Sequence, residues 1–72
     1  MDFEEEIPKN FSPTERGYQL IKEDLLQVII KYRIYQENDL KILFGRTVLY
    51  NEKMNIDKLQ SIFDEITVDL DA

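Results

Sequence analysis

The chain has no cysteine and no histidine. The first absence excludes disulfides and thiolate metal sites, and the second removes the usual transition-metal ligand and the usual general base near neutral pH. Only two glycines and two prolines punctuate its 72 residues. Gly17 and Gly45 stand alone, so neither belongs to a glycine-rich loop that could cradle a phosphate. No apolar run approaches the roughly 18 residues that cross a bilayer. The opening Met-Asp-Phe-Glu-Glu-Glu has neither a basic segment nor an apolar one, so a secretory signal is not expected. These exclusions lead to the expectation of a soluble, cytoplasmic protein that is not an enzyme and holds no cofactor or metal.

What remains is an acidic chain that is 43% hydrophobic and 33% charged, with net charge −6. That balance suits one globular domain. A core of this size typically supplies only about 3–5 kcal/mol without a disulfide, a metal or oligomerisation. Association with another chain is the aid left open.

Charge is unevenly spread. Residues 1–10 carry −3 and residues 54–72 carry −4, against +1 for residues 11–53. Pro8 and the acids Asp2, Glu4, Glu5 and Glu6 mark residues 1–11 as a flexible acidic N-terminal arm preceding a domain over residues 12–72. Phe3, Ile7 and Phe11 recur every four residues along that arm, a spacing that can dock in a groove or fold back over the bundle.

Ser12-Pro13-Thr14-Glu15 reads as a helix start, with the Ser12 hydroxyl as cap, Pro13 in the first turn and Glu15 reaching back. The helix is expected to run from Pro13 to about Tyr35 or Gln36. At about 100° per residue, Tyr18, Ile21, Leu25, Val28, Ile29, Tyr32 and Tyr35 form one apolar stripe, and Leu20, Leu26, Ile30 and Ile34 lie mostly behind it. A helix with two apolar faces needs two covers. Asn38 or a neighbour is the expected cap of a second helix carrying Leu40, Leu43, Phe44, Thr47, Val48 and Asn51 at three- and four-residue spacing. Gly45 within it suggests a close helix crossing. After a polar turn at residues 51–55, with Asn55 as cap, Ile56, Leu59, Ile62, Phe63, Ile66 and Leu70 line a third helix. Residues 69–72 are expected to fray. The fold class is therefore all-α: a small three-helix domain in which a long first helix is flanked by two shorter ones.

Candidate chemistry is sparse. Ser12 and Ser61 have no histidine to activate them. The carboxylate pairs Glu23-Asp24 and Asp64-Glu65 lack the ladder and turn glycine of a calcium loop and read as solvated helix faces. The third helix carries Lys58 and Gln60 against four carboxylates at Asp57, Asp64, Glu65 and Asp69, which disfavours direct nucleic-acid contact, and without an apolar span no membrane partner is expected.

The function expected is that of an interaction or regulatory protein, as adaptor, inhibitor or assembly subunit, binding a protein partner or forming a homo-oligomer. A first helix of about 35 Å would overhang its shorter neighbours. That places the expected interface at Leu26, Ile30, Ile34 and Tyr35, followed by Tyr50 and Met54. The alternative is an acidic mimic of nucleic acid that blocks a DNA- or RNA-binding protein.

Overall fold

The computed structural model describes residues 3–71, and the side chain of Asp71 lies outside that description. One turn of 3₁₀ helix at Glu4–Glu6 precedes α1 (Glu15–Tyr32), α2 (Glu37–Tyr50) and α3 (Ile56–Asp71). There is no strand among the described residues. The all-α, three-helix reading holds, with α3 packed against both α1 and α2.

The core is built from the stripes that the spacing marks. Ile21, Leu25, Val28 and Ile29 of α1, Leu40 and Leu43 of α2, and Leu59, Phe63 and Ile66 of α3 are buried together. Phe44 stacks on Phe63 with ring centroids 4.4 Å apart and planes 9° from parallel, fixing α2 against α3. Each fully buried aliphatic side chain of this set is worth about 1.5–3 kcal/mol of transfer free energy, so the stripes outweigh any surface ion pair.

Four helix boundaries differ from expectation: both ends of α1, the start of α2 and the end of α3. The cap of α1 is Thr14, not Ser12: its extended backbone lets the Oγ1 accept from the Gly17 amide at 3.1 Å. The Ser12 carbonyl instead accepts from the Thr14 amide at 2.8 Å in a tight turn. A β-carbon on Gly17 would lie 2.0 Å from that carbonyl oxygen, so this turn needs glycine.

At its other end α1 stops at Tyr32 because Arg33 adopts the left-handed conformation, φ 54° and ψ 49°. The Ile34 amide then donates back to the Ile29 carbonyl at 3.0 Å. This is the Schellman closure, formed without its usual glycine, and its apolar contact is supplied by the buried pair Ile29 and Ile34. The helix α2 begins at Glu37, earlier than Asn38 would allow, with Gln36 as a cap that makes no side-chain bond. For α3 the expected cap is present, since Asn55 Oδ1 accepts from the amides of Asp57 and Lys58 at 2.8 and 3.2 Å. Helix α3 continues through Asp69 and Leu70 to Asp71 where fraying was expected; Ala72 lies outside the described residues.

The acidic N-terminal segment departs most from its reading as a mobile arm. Phe3 and Ile7 belong to the core, 8% and 3% exposed, and Phe11 packs against it. Asp2 lies outside the described residues. The apolar positions at every fourth residue draw the segment down, and the 3₁₀ turn between them sends Glu4 and Glu6 to opposite sides. Glu4 meets α2, where Arg46 Nη1 is 2.7 Å from both carboxylate oxygens and the Tyr50 hydroxyl donates to it. Glu6 meets α1, where Lys31 Nζ approaches to 2.7 Å and the Tyr32 hydroxyl donates. The segment is thus a strap joining α1 to α2.

Candidate protein-binding surface

The strap is locked at its far end by Asn51, which is buried with 2% exposure. Its amide donates to the Pro8 and Thr47 carbonyls, both at 2.8 Å, and its Oδ1 accepts from the Phe11 amide at 2.9 Å. Asn10, itself at φ 56°, adds a backbone bond to the Tyr50 carbonyl at 3.0 Å. Asn51 therefore closes the core at the end of α2 with its polar atoms paired. Among the described residues, no buried side-chain nitrogen or oxygen lacks a partner.

With the core closed in this way, the expected interface residues divide. Ile30 and Tyr35 are open to solvent, 65% and 59% exposed. Leu26 and Tyr50 are half-buried. The Tyr50 hydroxyl is engaged by Glu4, and Lys9 Nζ sits 5.2 Å from the centre of its ring. Ile34 and Met54 are buried and offer no accessible surface. For Ile34 the cause is the reversal at Arg33: on a continuing helix it would lie on the back face, but the left-handed residue turns it inward. For Met54 it is the turn in which its amide donates to the Asn51 carbonyl at 3.0 Å. The overhang that suggested this end of α1 is also small, since α1 has 18 residues and α3 has 16.

Two residues missed in the sequence complete the picture. Ile42 and Leu49 of α2 are 50% and 61% exposed. At about 100° per residue they lie opposite the buried Leu40, Leu43 and Thr47, with Gly45 between them on the same outward line. The two-sided helix is thus α2 as much as α1. The signal was in the sequence, because α2 is apolar on both sides, but the inward residues already made a complete amphipathic stripe and hid the outward ones. Gly45 makes no close crossing among the described residues: a β-carbon there would meet nothing within 4 Å.

Next to Leu49, beyond the end of α2, an open cleft of about 360 Å³ is lined by Lys9, Phe11, Leu49, Tyr50 and Lys53 among others. The outward face of α3 is different in kind, with Asp57, Asp64, Glu65 and Asp69 exposed around Val68. Lys22 of α1 reaches Glu65 at 2.9 Å, and this contact, first through its hydrogen bond and then through charge, raises the lysine above its ordinary pKa. Among the described residues no three carboxylates gather as a metal site, and no helix is long and apolar enough to cross a membrane. No protein family, curated protein or solved structure matches the chain.

Proposed function

We propose that this protein is a small interaction module, an assembly subunit or adaptor, whose working surface is the apolar area left outside its closed core. The observation that carries the reading is the exposure of Ile30, Tyr35, Ile42 and Leu49 while, among the described residues, the buried polar side chains are paired. A 72-residue domain with a thin margin of stability gains from covering such residues with a second chain. The partner is a protein, first of all another copy.

Binding to the folded state stabilises it by mass action, so the thermal midpoint should depend on concentration. The test is thermal unfolding followed by far-UV circular dichroism over a hundredfold range of chain concentration. A midpoint that climbs by several degrees supports association, and an unchanged midpoint counts against it.

A second reading is favoured by the outward face of α3, where Asp57, Asp64, Glu65 and Asp69 present carboxylates on one exposed surface. Such a face suits an acidic mimic of nucleic acid. It predicts salt-sensitive competition with DNA for a basic protein, lost in an Asp57→Asn, Asp64→Asn double variant.

A further inference from the structure

We propose that two copies pair through the outward face of α2, with the helices antiparallel and crossing at Gly45. This rests on the reading of the exposed apolar residues as an association surface, and it names both the face and the occupant. Three observations favour α2 over the other exposed patches.

The first is the glycine itself. Gly17 is required by the Ser12 carbonyl beside it, whereas among the described residues nothing packs within 4 Å of a β-carbon built on the outer side of Gly45. A helix-interior glycine lowers helix stability relative to alanine, and here no contact within the chain offsets that loss. Flanked by Ile42 and Leu49, it forms a notch into which a second helix can come close, with a side chain from each copy on either side.

The second is charge. Every copy carries −6 overall, which opposes most ways of bringing two together. Residues 37–53 hold three acids, Glu37, Asp39 and Glu52, and three bases, Lys41, Arg46 and Lys53, so this part of the chain is neutral. It is where two copies meet with least repulsion.

The third is the register that follows from a two-fold axis, in which each position before Gly45 faces the position equally far after it. Ile42 then meets Leu49 of the other copy within one residue. Helix α2 spans Glu37–Tyr50, so the facing register runs five residues either side of Gly45, about 7.5 Å along the helix. The helix dipoles also oppose each other in this arrangement.

Sedimentation equilibrium of the full chain and its variants tests the pairing. The wild type is expected to form a dimer. Leu49→Lys should weaken it at least tenfold with helicity unchanged. Ile42→Lys should weaken it as much, because the register sets Ile42 against Leu49 of the other copy. Gly45→Leu, which meets open space within its own chain, should fold and fail to pair. If association survives Leu49→Lys but is lost in Ile30→Glu, the protein associates by another face and the α2 pairing is wrong. A wild type that stays monomeric at every concentration overturns the pairing and the reading beneath it together.

Discussion

Asn51 is the side chain on which the closure of this small core depends. It replaces three separate solvent contacts with three internal hydrogen bonds, to Pro8, Phe11 and Thr47, at a site water barely reaches. Removing it leaves buried backbone groups unpaired, each worth about 1–3 kcal/mol. Asn51→Ala is therefore expected to cost about 2–4 kcal/mol in urea titration. Asn51→Asp should cost more, because it loses both donors and turns a carboxylate towards two carbonyls. Near-wild-type stability in either variant would show that the strap is held elsewhere.

The two glycines make an opposed pair of predictions at dilutions where the chain is monomeric. Gly17→Ala forces a β-carbon against the Ser12 carbonyl and should destabilise by about 1–3 kcal/mol. Gly45→Ala enters open space on a helix and should stabilise by about 0.5–1 kcal/mol. A destabilising Gly45→Ala would contradict the open space there, and a neutral or stabilising Gly17→Ala would contradict the crowding at Ser12.

Among the elements, the helices were readable because their apolar residues recur at helical spacing, and Asn55 was readable as a cap from its place before Ile56. The stop at Arg33 was not. A left-handed residue is usually glycine or asparagine, and arginine carries no such signal, so spacing alone carries the first helix on to Tyr35 or Gln36 and puts Ile34 on its outer side. The strap was half readable: Phe3, Ile7 and Phe11 had docking spacing, but the acids between them suggested solvation. Only the folded arrangement brings Arg46, Tyr50, Lys31 and Tyr32 to those acids.

Those contacts give the strap a pH dependence of known sign. The Tyr50 hydroxyl first, and the Arg46 guanidinium after it, hold the Glu4 carboxyl below its ordinary pKa; Lys31 and then Tyr32 do the same for Glu6. A carboxylate lowered on folding contributes stability above its unfolded pKa and loses it as pH falls through the folded value. The contribution should be constant from neutrality to about pH 5 and fade below that. Asp24 works in the opposite sense, because burial and then the charge of Glu23 raise it, and its penalty disappears over the same descent. Urea midpoints measured from pH 7 to pH 3 should therefore fall less steeply in a Glu4→Gln, Glu6→Gln double variant than in wild type. Parallel curves would mean that these exposed ion pairs contribute nothing. Both pairs are solvent-accessible, so Phe3→Ala, which removes a buried ring at a cost of about 3 kcal/mol, should disturb the strap more than either glutamine.

For the whole molecule, the sequence located only part of the apolar surface that the fold leaves exposed. Ile30 and Tyr35 were found because α1 has visible apolar residues on both sides. Ile42 and Leu49 were overlooked, since a three-helix chain gives no hint in one dimension of which second face the other helices leave uncovered. The fold answers that by placing α3 against both other helices and leaving the far side of α2 bare. A copy bearing −6 should also pair more readily when salt screens the repulsion between acidic ends.

Absolute molar mass by light scattering behind a sizing column, for the unmodified chain at two concentrations and two salt levels, puts self-association to proof. A mass that rises from the 8.6 kDa of one chain towards twice that value, with concentration and with salt, is the expected result. A constant 8.6 kDa in all four conditions would contradict it.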